Sequence, residues 1–379
     1  MHRVLFVLGT RPEAIKLCPL LLHLRRFPDT FDVRVCVTAQ HRQMLDQVLA
    51  AFSVTPDYDL DCMLPGQTLF QSSSRILAGL EPVLRDGRPS MVVVQGDTTT
   101  TLCGALAAFY ADVPIAHVEA GLRTGDRKQP FPEEMNRVLA GRLSHLHFAA
   151  TEGAAANLRA EGVHPSFIHV TGNTGIDAVL HVRDGIASGR LPGGHWPWLD
   201  SRRHLVLVTA HRRENFGARL GQICSAIATL SADPRIQIAW PVHPNPEVQR
   251  HARALAAKAP AVHLLPPLDY VPFVDLMRRT YLILTDSGGI QEEAPSLGKP
   301  VLVLRDKTER PEAIAAGAVR LVGSEPSRIV AETRRLLDSV PAYQRMAAVH
   351  NPYGDGRASE RIEGVIRSFF SAKSVPTAA

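Results

Sequence analysis

Short runs of β-branched and aliphatic residues recur along the chain, each followed by a longer stretch whose apolar positions repeat at helical spacing. Val4–Leu8, Val33–Thr38, Met91–Gln95 and Pro114–Val118 read as strands that are apolar on both faces. Helical patterns begin near Pro12, Gln67, Thr98 and Glu133. A second series follows in Leu205–Thr209, Ile236–Trp240, Val262–Leu265, Tyr281–Thr285 and Val301–Leu304, again with helical patterns between. A strand without a polar face must be covered on both sides, and alternation with helices covers it by the crossovers of a parallel sheet. The pattern predicts an α/β protein with two doubly wound, Rossmann-like sheets.

The two series are separated around Thr171–Asp177 and by the stretch Gly185–Pro197, rich in glycine and proline. Near the other end, His350–Gly356 is dense in turn formers and precedes an amphipathic pattern in Ile362, Val365, Ile366, Phe369 and Phe370. A turn there lets the chain cross back and lay its last helix on the first domain. The expected domains are residues 1–171, joined by the terminal segment 357–379, and residues 172–356. A chain of 379 residues exceeds the usual size of one compact domain, which agrees.

Composition narrows the function classes. The formal net charge of +5 is modest for this length, and no basic run is interleaved with aromatics, so a nucleic-acid partner is not expected. The apolar run Val4–Leu8 leads directly into Gly9-Thr10-Arg11-Pro12-Glu13 without a small-residue cleavage site, and reads as a buried strand rather than a secretion signal. Nothing is long and apolar enough to span a membrane. The five cysteines are scattered and never spaced C-x-x-C, which favours a reducing cytoplasm over a disulfide framework or structural zinc.

Polar residues cluster immediately after strands in both halves. In the first, Gly9–Lys16, Gln95–Thr101 and His117–Thr124 take these places. Asp97 could be no more than the N-cap of a helix starting at Thr98. Glu119 ends an apolar strand with no helix to cap, and a carboxylate there is costly unless paired or used. Glu133 opens a helix, where an acidic residue complements the dipole. Convergence of the three on one sheet edge is what acid–base chemistry at carbon needs, with carboxylates held in unlike environments.

In the second half, Thr209–Asn215 and Pro241–Pro246 follow strands, and Ser287-Gly288-Gly289 opens a helix whose amides lie bare to an anion. Glu293 is either an exposed helical glutamate or an acceptor for a ribose, and Arg310 suits a diphosphate. The sequence Arg-Pro-Glu-Ala-Ile occurs at Arg11–Ile15 and again at Arg310–Ile314. It is too short to mark a repeat, but both copies stand between a strand end and a helix start, aiming an arginine at the crevice where open α/β sheets bind ligands. No G-x-G-x-x-G, Walker A loop, metal-spaced ligand set or G-x-S-x-G elbow occurs, so neither a nicotinamide cofactor nor a metal is expected.

Taken together, GTRPEAIK (Gly9–Lys16), TAQHRQMLDQV (Thr38–Val48), GDTTTT (Gly96–Thr101), HVEAGLRTGD (His117–Asp126), PEEMNR (Pro132–Arg137), TAHRREN (Thr209–Asn215), LTDSGGIQEEAPSLGKPVLVLRD (Leu284–Asp306), TERPEA (Thr308–Ala313) and NPYGDGRASERI (Asn351–Ile362) closely resemble the bacterial non-hydrolysing UDP-N-acetylglucosamine 2-epimerases. The resemblance implies a GT-B architecture with a UDP-sugar in the central cleft. It also implies reversible conversion of UDP-N-acetylglucosamine to UDP-N-acetylmannosamine, by elimination of UDP to a 2-acetamidoglucal and re-addition. By position, Asp97, Glu119 and Glu133 match the family's acid–base carboxylates and His211 its phosphate-side histidine. Arg11, Lys16, Arg137, Phe273, Ser287, Gly288, Gly289, Glu293 and Arg310 match nucleotide- and sugar-binding positions. Gln40, Gln43, Glu134, Arg212 and His243 match a neighbouring site where some members bind a second, activating UDP-N-acetylglucosamine. Gly66 stands where such members can carry arginine, and Gln95 replaces a more usual histidine. A homodimer is the expected assembly. Three other readings share these residues: a hydrolysing epimerase releasing UDP and N-acetylmannosamine, a GT-B glycosyltransferase needing an acceptor, and a non-catalytic nucleotide-sugar sensor.

Overall fold

The computed structural model describes residues 1–38, 42–64 and 66–373. The chain divides into two compact units: Met1–Ala178 together with the segment from Gly354 onward, and Val179–Tyr353.

The first unit is built on a seven-stranded parallel sheet. Its strands are β1 (His2–Leu8), β2 (Phe31–Val37), β3 (Tyr58–Asp59), β4 (Met91–Gln95), β5 (Ile115–Ala120), β6 (Leu146–Ala149) and β7 (Ile168–Val170). They lie in the order β3-β2-β1-β4-β5-β6-β7. The central strands are buried on both faces, as their unbroken apolar runs require: all five residues of β4 are buried. The last helix, Ala358–Lys373, belongs to this unit. Ile362, Ile366 and Phe370 are buried, and Phe370 stacks on His2 with ring centroids 4.0 Å apart. Arg367 lies over the rings of Phe27 and Phe31. Asp177 accepts the amides of Ala358 (3.2 Å) and Ser359 (2.8 Å), which satisfies two of the helix's free N–H groups.

The second unit repeats the design with β8 (His204–Thr209), β9 (Ile236–Pro241), β10 (Val262–Leu265), β11 (Leu282–Thr285), β12 (Val301–Val303) and β13 (Val319–Leu321). These run parallel in the order β10-β9-β8-β11-β12-β13, around a core that includes the fully buried Trp240. In each sheet the strand order reverses once, between β1 and β4 and between β8 and β11. The loops leaving those paired strands diverge to opposite faces, which opens a crevice at their carboxyl ends.

Two details depart from the sequence expectation. Thr174–Asp177, read as part of a break, begins the helix Thr174–Ala187. The Asn173 side chain accepts the Gly175 amide at 2.8 Å, so turn chemistry here starts a helix instead of ending order. Strands β3, β6, β7 and β13 are only two to four residues long and each includes a polar residue (Asp59, His147, His169 and Arg320), so no clean apolar run marks them. Among the described residues, no helix is long and apolar enough to cross a membrane.

Candidate active site

The first crevice is assembled from the ends of β1, β4 and β5. After β1 the chain must pass close beneath its neighbours: a Cβ on Gly9 would stand 2.1 Å from the Thr38 hydroxyl and 2.3 Å from that of Thr100. Only glycine fits. The next residues start the helix Arg11–Leu24 with proline in its first turn. Arg11 is half-buried, and no described residue bonds its side chain.

After β4, Gly96 takes a positive φ of 72° and delivers Asp97. The helix that follows, Thr99–Tyr110, is capped by Thr98, whose hydroxyl accepts the Thr101 amide at 3.1 Å. The sequence allowed Asp97 that role; the structure gives it to Thr98 and leaves the aspartate free for other contacts. Arg137 reaches Asp97 Oδ2 at 3.2 Å, and the Asn136 amide binds the Asp97 carbonyl at 2.9 Å. Burial pushes the Asp97 carboxyl up to about 6; Glu119 and Glu133 add to the rise, while Arg137 and Lys16 oppose it.

Glu119 occupies an unusual backbone position. The register between β5 and β6 shifts between Val118 and Ala120, and Glu119, at the bulge, has φ 62°. A left-handed conformation costs a non-glycine residue of order 1 kcal/mol or more and tends to persist where the surroundings over-determine it. Here they do: Lys16 Nζ binds both carboxylate oxygens at 2.7 and 2.6 Å, and the Gln95 amide also donates to Glu119. Lys16, expected to bind substrate, is thus also the counter-charge of a candidate catalytic carboxylate. Glu133 opens the helix Glu133–Leu143 and makes no hydrogen bond or ion pair to a described residue. Its neighbour Glu134 is buried and accepts the amides of Thr124 and Gly125 and the Arg137 guanidinium. Burial alone would raise the Glu134 carboxyl, but these donors hold it below the usual range.

The second crevice lies at the ends of β8 and β11. Asp286, wholly buried, accepts the amides of His211 (2.9 Å) and Arg212 (2.9 Å) and the Asn215 side chain (3.0 Å). His211 Nδ1 lies 3.3 Å from the same carboxylate, and its ring stacks on His243 with centroids 5.5 Å apart. Burial holds His211 below the usual histidine range; Asp286 opposes this, and Arg212 and His243 reinforce it. Ser287 caps the short helix Gly288–Glu293 without spending its hydroxyl on the cap. Arg310, held through Nε by Glu292, lies over Gly288, where a Cβ would come within 3.4 Å of its Nη2. Glu293 lies similarly over Gly289, with a carboxylate oxygen 3.9 Å from the position of a Cβ. Bare amides, an unspent hydroxyl, an arginine and a histidine are therefore gathered on one side of the second sheet.

Residues 24–367 match the sequence profile of a family described as UDP-N-acetylglucosamine 2-epimerase. The enzyme of that name from Salmonella typhimurium is 52% identical over 372 residues, covering 97% of this chain and 99% of its own. The chain belongs to the UDP-N-acetylglucosamine 2-epimerase family. The members are isomerases. The Escherichia coli (strain K12) enzyme is 54% identical over 365 residues, 95% of this chain and 97% of that one. The crystal structure of the Neisseria meningitidis UDP-GlcNAc 2-epimerase bound to UDP-GlcNAc matches with a TM-score of 0.88 at 46% identity, over 97% of this chain and all of the other. The glycotransferase of kitacinnamycin shares the fold at 13% identity, with a TM-score of 0.63 over 96% of this chain and 99% of that one. Two Rossmann-like domains in this arrangement of strands are the GT-B class.

Within the family frame, the remaining expected residues are distributed as follows. Phe273 is half-buried on the helix Tyr270–Arg279. Gln40 lies outside the described residues; Gln43 falls on the helix Arg42–Ala51, its side chain outside the description. Glu134 faces Arg137 in the first unit, and Arg212 and His243 flank His211 in the second. Two residues that hold these sites together, Glu13 and Asp286, were not singled out from sequence. Thr10-x-x-Glu13 is a capping-box pattern, so a local signal for Glu13 existed. Asp286, between a strand and Ser287, had none that separated it from an ordinary turn aspartate.

Proposed function

We propose that this chain interconverts UDP-N-acetylglucosamine and UDP-N-acetylmannosamine reversibly, by anti elimination of UDP to 2-acetamidoglucal and syn re-addition. In the forward half, the anomeric C1–O bond breaks with its electron pair going to UDP, and the proton on C2 passes to a carboxylate. In the return half, C2 is protonated from the opposite face and UDP re-adds at C1. Breaking the anomeric bond makes C1 oxocarbenium-like and acidifies the C2 hydrogen, so a carboxylate suffices as base.

The observation that carries this reading is the environment of Asp97. A carboxyl pushed up to about 6 can both hold and release a proton near neutrality, which is what a group exchanging protons with carbon must do. Glu119, braced by Lys16 and Gln95, and Glu133 supply the negative charge that helps raise it. The leaving diphosphate gains charge as the bond breaks. Arg310, His211 and the amides of Gly288 and Gly289 suit that growing charge, the Ser287 amide being given to the Thr285 hydroxyl, and donors that strengthen with it act on the transition state more than on bound substrate. Glu293 and Phe273 serve the nucleoside. A homodimer in the cytoplasm completes the proposal.

Incubation with UDP-N-acetylglucosamine in deuterated water should place deuterium at C2 of both epimers, read by NMR. Binding without any label would sink proton abstraction. Free UDP accumulating in step with turnover would replace the reading with a hydrolysing epimerase.

A further inference from the structure

Glu13 is 1% exposed, burial raises its carboxyl above the usual range against the pull of its donors, and it hydrogen-bonds to none of Asp97, Glu119 and Glu133. Its carboxylate is nonetheless fully engaged. Oε2 accepts the amides of Gly9 (3.1 Å) and Thr10 (2.8 Å) and the Thr10 hydroxyl (2.7 Å). Oε1 accepts the hydroxyl of Thr98 at 2.8 Å, with that of Thr101 further off at 3.4 Å. Thr101 has one hydroxyl proton and a nearer acceptor, the Gln95 carbonyl at 2.6 Å, so Thr98 makes the bond that counts. Thr98 can give it freely. As N-cap it uses its lone pair for the Thr101 amide and keeps its proton for Glu13.

A glutamate at the third helical position ordinarily turns back to its own cap and stops there. Glu13 does that with one oxygen and spends the other on a loop 85 positions away in sequence. The two loops it joins leave β1 and β4, the strands between which the sheet order reverses. One carries Arg11; the other carries Asp97, the residue immediately before Thr98. The helix that begins with Arg11 also carries Lys16, the partner of Glu119. A shift of this helix relative to β4 would displace Arg11 and Lys16 from Asp97 together.

We infer that Glu13 is a positioning residue for the epimerisation: through Thr98 it fixes Asp97 relative to the helix that presents Arg11 and Lys16. The inference rests on the function proposed above. It does not make Glu13 a catalytic residue, because the carboxylate is sealed from substrate by its own five contacts.

The test compares Glu13→Ala, Thr98→Ala, Thr98→Ser and the double variant Glu13→Ala/Thr98→Ala, in C2 deuterium exchange and in kcat and KM across pH. Misplacement of a reacting group by about 1 Å can cost on the order of 100-fold in rate. Glu13→Ala and Thr98→Ala should each lower kcat by about 10- to 100-fold, and the double variant should be no slower than the worse single. Thr98→Ser keeps both the cap and the link and should stay near the parent rate. In Thr98→Ala, where no charge is lost, the limb of the pH profile set by Asp97 should also move. Singles that melt earlier but keep kcat within about threefold, or losses that multiply in the double variant, would overturn the assignment. If Glu13→Ala does not fold, the Thr98 pair still decides. Absence of C2 exchange in the parent enzyme would strike the proposed reaction itself, a result distinct from any difference among variants.

Discussion

Replacing Asp97 with asparagine should make the protein more stable at neutral pH while removing its activity. The carboxyl stands near 6 in the folded chain against an ordinary aspartate value of 3.8. An acid with a raised folded-state pKa binds its proton more tightly folded than unfolded. Its ionisation therefore weakens the fold progressively as pH rises from about 4 through about 6, and fully above about 7. At about 1.36 kcal/mol per pH unit, that interval amounts to roughly 3 kcal/mol. The side chain is 29% exposed, so some of the penalty is relieved by solvent, and about 2 kcal/mol is the lower bound expected. Asparagine resembles the protonated acid in shape and does not titrate. The stability difference between Asp97→Asn and the parent should thus grow by about 1 to 2 kcal/mol in the variant's favour between pH 4.5 and pH 8, the remainder having been lost already below about pH 4.5. Denaturant unfolding followed by backbone circular dichroism is the assay, because all three tryptophans, Trp196, Trp198 and Trp240, lie in the second unit and do not report on the first. C2 exchange should meanwhile fall by at least about 100-fold. A difference that stays flat across this pH range, or that turns against the variant as pH rises, would refute the raised pKa and with it the role argued for Asp97.

Removing the cation beside that carboxyl should leave it titrating but at a different pH. In Arg137→Met, Asp97 loses a neighbour that lowers its pKa, so the limb of the kcat profile set near 6 should move to higher pH; a limb that stays put contradicts the geometry. The same change strips a buried partner from Glu134, which keeps only its amide donors, and should cost about 3 kcal/mol in denaturant unfolding. In the second unit, Asp286→Ala leaves the amides of His211 and Arg212 and the Asn215 side chain without their acceptor, at about 1 kcal/mol or more each. Tryptophan fluorescence does report there: an unfolding loss of about 3 kcal/mol, with weaker UDP binding by calorimetry, is expected, and unchanged UDP affinity would remove Asp286 from the site's support.

Much of the fold could be read because a parallel sheet leaves a plain mark. The inner residues of β1, β4, β8 and β11 are buried on both faces and apolar, with polar residues only toward the strand ends. The edge strands β7 and β13 have no such constraint and vanish into their surroundings. In the site, residue type announced Asp97, His211 and Arg310, because strand ends are where polar side chains need explaining. What sequence could not deliver was pairing. Lys16 is a candidate ligand until its ammonium is seen on Glu119, and Asp97 is a candidate cap until Thr98 takes that position. Nor does periodicity foretell that Glu119 has positive φ, since the bulge that imposes it arises from the register of β6, a four-residue strand whose apolar run His147 interrupts.

The two units solve one mechanical problem in mirrored ways. Where strand order reverses, two loops leave neighbouring strands in opposite directions, and no crossover helix holds them together. A hydroxyl pair of threonines bridges the strand ends of the second unit, Thr209 to Thr285 at 2.6 Å, but a hydroxyl pair has few lone pairs and protons to offer a loop. A buried carboxylate has four acceptor sites, and each unit places one at its reversal. In the first it comes from the helix after β1 and reaches to the β4 loop; in the second it comes from the β11 loop and reaches back to the β8 loop. Burying a charge is costly when it is unpaired, yet both of these are surrounded by N–H and O–H donors contributed by the loops themselves. The arrangement is then a device: each buried carboxyl keeps its donors only while both loops are in place, so loop geometry and carboxyl solvation stand or fall together. Glu13 and Asp286 therefore tie the presentation of Asp97 and of His211 to the integrity of the fold more tightly than a neutral cap would.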